Sequence, residues 1–138
     1  MKFPRLIFSI LILSALLPAK TRTPAAAAAD PNYIFALSAA DHFLQAWATH
    51  DYETGIVMLT DTAKQGISED RLDEIFSPDH PVQRAYEVLH GKKLQAGRYV
   101  FPVALFEGAG KGRAGSPRYS RVIVIKEAKD EWEVDKLP

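Results

Sequence analysis

Apolar residues change their spacing once along this chain, and the change falls near Pro81. Ahead of it they recur every three or four residues; behind it they alternate. The first period buries one stripe of a helix, and the second buries one face of a pleated strand. The expected architecture is therefore α+β, with three N-terminal helices packed on a curled antiparallel sheet of four strands.

Asp30-Pro31 fits a helix start, because an Asp side chain accepts from free backbone N–H groups and proline in the first turn has no N–H to leave unpaired. Through "NYIFALSAADHFLQAWATHD" the residues Tyr33, Leu37, Ala40, Leu44 and Trp47 form one stripe that Ala36 and Phe43 widen. "YETGIVMLTDTAKQG" repeats the pattern more weakly through Ile56, Leu59 and Ala63 as a second helix. Ser68 is placed to cap a short third helix, with Glu69 and Asp70 at the positive end of its dipole and Leu72, Ile75 and Phe76 on its buried side. "SPDHP" stops it.

Beyond Pro81, "RAYEVLHGKKLQ" alternates imperfectly, while "RYVFPVALFE" places Tyr99, Phe101, Val103 and Leu105 on one side. "RYSRVIVIKEA" is β-branched and apolar on both sides at its centre, and "EWEVDKL" points Trp132 and Val134 one way and acids the other. Pro102 lacks a ladder donor, which implies an edge or a bulge at that point.

The first 29 residues read as an address rather than as part of the fold. Lys2 and Arg5 form a basic head, "LIFSILILSALL" an apolar middle, and "AAAAA" a run of small residues ending at Ala29. This is the layout of a secretory signal, cut after Ala29, which leaves residues 30–138 as one exported domain, periplasmic or extracellular. The apolar run is too short for a hydrocarbon core that takes roughly 20 helical residues. The alternative is an uncut N-terminal membrane anchor, since the stretch before Ala29 is long for a signal tail and carries Lys20 and Arg22.

Charge narrows the partners. Of 17 basic residues four precede Asp30, so the mature part carries 13 against 17 acids, a net of −4. Such a domain is not drawn to nucleic acid, nor to anionic lipid unless the leader stays attached. There is no cysteine, which excludes disulfides, thiolate metal sites and a cysteine nucleophile.

"GAGKGRAGS" from Gly108 to Ser116 contains G-x-G-x-x-G, but a dinucleotide site needs a helix directly after the glycines, and "SPRYSRVIVIKEA" is a strand. A phosphate loop fails as well, because Gly112 follows Lys111 where Ser or Thr must reach magnesium. The stretch reads as a hairpin connection whose Lys111 and Arg113, with Arg118, are the groups that an anionic partner would meet. No cofactor is expected.

Three of the four histidines adjoin an aspartate, but helix neighbours point about 100° apart and make no dyad. His42 and His50 are separated by about 12 Å along one helix, too far to share a zinc, so no metal is expected. His50 reads as a helix-dipole partner and His80 as a loop residue. Signatures of a serine nucleophile elbow and of a zinc hydrolase are absent. The acids Glu69, Asp70, Asp73 and Glu74 read as a solvated helix face. Tyr86, Val88 and His90 share a strand face on this reading, so that Tyr86 and His90 are polar handles in an apolar cavity; the alternative is a solvent-facing edge. Trp47, Tyr99, Phe101 and Trp132 are expected to pack the core, with Trp47, Tyr99 and Phe101 lining any cavity between helix and sheet.

Two passages, "FLQAWATHDYETGIVML" (43–59) and "YSRVIVIKEAKDEWEVDKL" (119–137), resemble the first-helix entry and the closing hairpin of the nuclear transport factor 2-like superfamily, a cone-shaped α+β fold. The resemblance implies a cavity between the long helix and the sheet. It fits ketosteroid-isomerase-like enzymes, dehydratases, cyclases and non-catalytic binding or assembly domains alike, and it implies homodimers paired through the open sheet face. An isomerase-like member would set a carboxylate base and a tyrosine donor around the cavity. Here "YVFPVAL" has no acid, and Glu87 and Glu107 fall at registers the sequence leaves open. The function expected is therefore an exported, non-catalytic domain that binds a small apolar ligand or a partner protein. The alternatives are a small cavity enzyme using His42, Tyr86, His90 and Tyr99 for proton transfer or dehydration, and a membrane-tethered assembly subunit.

Overall fold

The computed structural model describes residues 30–76, 82–108 and 115–138. Residues 1–29, expected to be a secretory signal, the "SPDHP" stretch with His80 and Pro81, and Lys111 and Arg113 of the glycine connection lie outside the described residues.

Helix α1 (Pro31–Ala48) starts as its cap predicts, with the Asp30 carboxylate accepting from the Asn32 N–H at 3.0 Å. It buries Ala36, Ala40, Phe43, Leu44, Ala46 and Trp47, while Tyr33 and Leu37 are half-buried at the rim of the same face. The second expected helix is two, α2 (Tyr52–Val57) and α3 (Asp61–Gln65). Between them the chain leaves the helical path to join the sheet: the Thr60 N–H donates to the Val134 carbonyl at 3.0 Å, and the Val134 N–H donates to the Met58 carbonyl at 2.8 Å. Leu59 is fully buried at this bridge. Thr60 then caps α3 by accepting from the Ala63 N–H at 3.0 Å. Helix α4 (Glu69–Phe76) follows Ser68, whose hydroxyl accepts from the Arg71 N–H at 3.3 Å, so the described helices number four rather than three.

The sheet is antiparallel and has five strands rather than four: β1 (Gln83–Val88), β2 (Lys92–Gln95), β3 (Arg98–Gly108), β4 (Arg118–Ala128) and β5 (Glu131–Lys136). The extra strand comes from "RAYEVLHGKKLQ", which breaks at Leu89–Gly91 into two partners that pair β3 one after the other. Gly91 is buried at the break, and a Cβ there would meet the Phe101 ring at 2.3 Å, so the crossing passes closer than any other residue type allows. Pro102 lies opposite. It occupies the middle of an interior strand, where the β1 ladder has ended at Val103 and the β2 ladder begins at Val100. Its carbonyl accepts from the Leu89 N–H at 2.8 Å, and since N and O of a strand residue point to the same side, its missing donor falls on the interruption.

Order β1-β3-β4-β5 wraps the sheet around α1, which touches β1, β3, β4 and β5. Tyr99, Phe101, Val103 and Leu105 of β3, with Val122, Val124 and Val134, close on Phe43, Leu44 and Trp47 of α1 and Phe76 of α4. Phe43 and Phe76 meet edge to face at 5.7 Å. Truncating one of these rings to Ala costs about 3–5 kcal/mol.

Candidate functional site

The core tyrosine of β3 is tied to the first helix. Tyr99 is 1% exposed and its hydroxyl donates to the Asp30 carboxylate at 2.6 Å. Burial first, then this bond, push the phenol up to about 12. The same bond is the largest influence on Asp30 and holds its carboxyl below the ordinary range. Tyr99 is thus a fixed donor and Asp30, the α1 cap, a fixed acceptor.

Tyr86 of β1 makes a similar pair. Its hydroxyl donates to the Asp41 carboxylate at 2.9 Å and lies 3.2 Å from the Asp41 carbonyl; burial first, then Asp41, push it up to about 12. A tyrosine beside a carboxylate is what proton transfer at carbon would require, but Asp41 lies on the exposed side of α1. His90 does not share β1 with Tyr86. The strand ends at Val88, and His90 is exposed on the way to β2, with its ring 5.9 Å from that of Tyr33. His42 is exposed on α1, beside a hollow of about 230 Å³ that Asp51 and Thr54 also line. There Asp51 caps α2, accepting from the Thr54 N–H at 3.1 Å and its hydroxyl at 2.7 Å; these bonds are the main cause of its lowered pKa. The four residues do not gather in one place: Tyr99 is at the start of α1, Tyr86 at its middle, His42 on its outer side and His90 at the sheet break.

Trp47 and Phe101 are 3% and 0% exposed, packed into the core rather than lining an opening. Among the described residues no buried side-chain nitrogen or oxygen lacks a partner. The buried side chains among the described residues thus hold one another in fixed hydrogen bonds.

The polar centre of the interior is Arg84, which no local pattern announces. Its side chain is 4% exposed, and it donates to Glu107 at 3.1 Å, to the Trp47 carbonyl at 3.0 Å and to the Ile75 carbonyl at 2.6 Å. Desolvation first lowers the guanidinium pKa, and Glu107 opposes that. His50 joins it: its ring nitrogens lie 3.2 Å from the Phe76 carbonyl and 3.0 Å from the Val82 carbonyl. His50 does serve a helix C-terminus, that of α4 rather than of its own helix.

The other face of the sheet is open. A concavity of about 840 Å³ lies over β2, β3, β4 and the end of β5, floored by Val100, Pro102 and Ile123. Basic groups surround that floor: Lys92, Arg121 and Lys136, with His90. Outward positions 119, 121 and 123 alternate with the buried Val122 and Val124, so this face was readable in the period of β4.

No family model and no curated protein matches the chain. Solved structures do resemble it, among them the following two. One is described as a calcium/calmodulin-dependent protein kinase type II association domain from Thiobacillus denitrificans, 17% identical with a TM-score of 0.55 over 71% of this chain and 87% of that one. The other is a ketosteroid isomerase-like protein from Erwinia carotovora atroseptica, 20% identical with a TM-score of 0.55 over 76% of this chain and 92% of that one. At these identities the likeness speaks for the fold: helices first, then a curled antiparallel sheet, in the nuclear transport factor 2-like arrangement.

Proposed function

We propose an exported, non-catalytic binding domain of nuclear transport factor 2-like fold that takes its partner on the open face of the sheet, since Trp47 and Phe101, the expected cavity lining, are packed into the core. The observation that carries this reading is the packed core: Trp47 and Phe101 are closed into it, and the buried side-chain polar atoms among the described residues are already hydrogen-bonded. A cavity enzyme needs a base and a donor aimed at one empty space. Here the two tyrosine–carboxylate pairs sit apart, one at the start of α1 and one at its middle, and each phenol is held as a donor to its own carboxylate. Export rests on the layout of residues 1–29.

Native mass spectrometry of the purified protein tests this. The expected result is a chain beginning at Asp30 with no small molecule retained. A stoichiometric apolar ligand that survives purification would make the protein a small-molecule carrier, and an intact leader in the membrane fraction would make it a tethered subunit. Any turnover that disappears in Tyr86→Phe or Tyr99→Phe would establish the enzyme.

A further inference from the structure

We infer that the open sheet face docks an acidic, amphipathic segment of a partner protein. This rests on the reading of that face as the docking surface, and names its occupant.

Charge carries the inference. The mature chain is acidic overall, yet the groups lining this concavity are Lys92, Arg121, Lys136 and His90, without one carboxylate among them. Among the described residues, the ion pairs formed are Lys64–Asp61, Arg71–Glu74, Arg84–Glu107 and Arg98–Asp135. The three cations of the open face are in none of them. Concentrating unpaired basic groups against the sign of the whole domain builds a local field that selects an anionic partner.

Apolar residues share the lining with the cations. Val100, Pro102 and Ile123 form its floor, and Leu94 and Tyr119 stand at its margins 47% and 72% exposed. Apolar centre, polar margin, and exposed Tyr and Arg are the composition of protein–protein contacts, where those two residue types supply anchors. An occupant with aliphatic side chains between carboxylates satisfies both parts of the surface.

A second copy of the chain fits less well. Self-pairing about a two-fold axis brings the same concavity from both copies together, so six lysine and arginine cations would meet with no carboxylate among the residues lining it. A bilayer fits less well too, since the apolar floor is recessed and the remainder of the domain is acidic.

The test uses the purified protein and a short fluorescent peptide of alternating Glu and Leu, with a Lys–Leu peptide and phosphatidylglycerol vesicles as competitors for the assignment. The Glu–Leu peptide should bind saturably, move the amide resonances of Val100, Tyr119 and Ile123, and weaken steeply with salt. Arg121→Glu/Lys136→Glu, both at exposed positions, should weaken it about ten-fold or more while leaving the thermal midpoint unchanged. Equal binding of the Lys–Leu peptide, preference for the vesicles, or indifference to the double substitution overturns the acidic occupant. A dimer in sedimentation equilibrium that Tyr119→Ala dissociates also overturns it, but preserves the face as a docking surface. Failure of every probe, with no effect of any substitution on association, overturns both.

Discussion

Arg84 lies with its guanidinium carbon 4.7 Å from the centre of the Trp47 ring while donating to the backbone carbonyl of that same residue. Neither α1 nor α4 has a basic residue in its last turn, and this one strand residue supplies the missing cation to both C-termini through the Trp47 and Ile75 carbonyls. Arg84→Met should lower stability by about 2–4 kcal/mol, because it strands two buried carbonyls as well as Glu107. Urea denaturation reads the loss, and Glu107→Gln should cost clearly less.

His50 occupies left-handed backbone at φ 60, which few residues without a short polar side chain accept, and its ring spans from the end of α4 to the start of β1. His50→Ala should lose about 1–3 kcal/mol through the two carbonyls. His50→Asn tolerates the positive φ but cannot reach either carbonyl, so its thermal midpoint should fall between those of the parent and the Ala variant.

Acid should act on the Tyr99–Asp30 bond. Because the folded carboxyl sits below its unfolded value near 3.9, its contribution is present above that pH and disappears as pH falls through the folded pKa. Between pH 5 and pH 2 the parent should lose more urea resistance than Tyr99→Phe, which has no such bond to lose. Equal losses would show that the bond is not linked to stability.

Alkali should act in the opposite direction on the phenols. Tyr86 and Tyr99 keep their protons up to about 12 when folded, whereas an unfolded tyrosine releases its own near 10. Stability from these two groups is therefore complete below pH 10 and lost between pH 10 and 12. Of the five tyrosines, two should appear in the ultraviolet phenolate titration only near pH 12, and one of them should vanish in each Phe variant.

Gly55 holds α2 against α4. A Cβ at this position would come within 2.2 Å of the Phe76 ring, which is itself fully buried and unable to retreat. Gly55→Ala should destabilise by about 1–3 kcal/mol despite alanine's better helix propensity. A gain in thermal midpoint would mean that the ring has room to move.

Much of this fold could be read from periodicity. The α1 stripe and the alternation of Tyr99, Phe101, Val103 and Leu105 are local signals, and each lies where its period placed it. Two breaks were missed. Thr60-Asp61 is a cap signature buried inside a run that also satisfies a helical period, and only Val134, far along the chain, decides that Met58–Thr60 leaves the helix. Gly91 interrupts a strand pattern for the sake of the Phe101 ring, again a distant partner. Arg84 was not singled out for the same reason: alternation places it on the face of Tyr86 and Val88, but its three acceptors belong to separate elements. His90 was misplaced with Tyr86 because the break at Leu89–Gly91 was not seen.

The bridge from Met58–Thr60 to Val134 also governs growth of the sheet. It occupies the Val134 donor and acceptor that β5 would otherwise offer to a passing strand; the opposite margin is formed by β1 and by β2, which carries Lys92 and Lys93. Adjacent lysines on a short rim strand discourage strand addition. Neutralising them, rather than loosening the core, is the change most apt to promote edge-to-edge association of this domain.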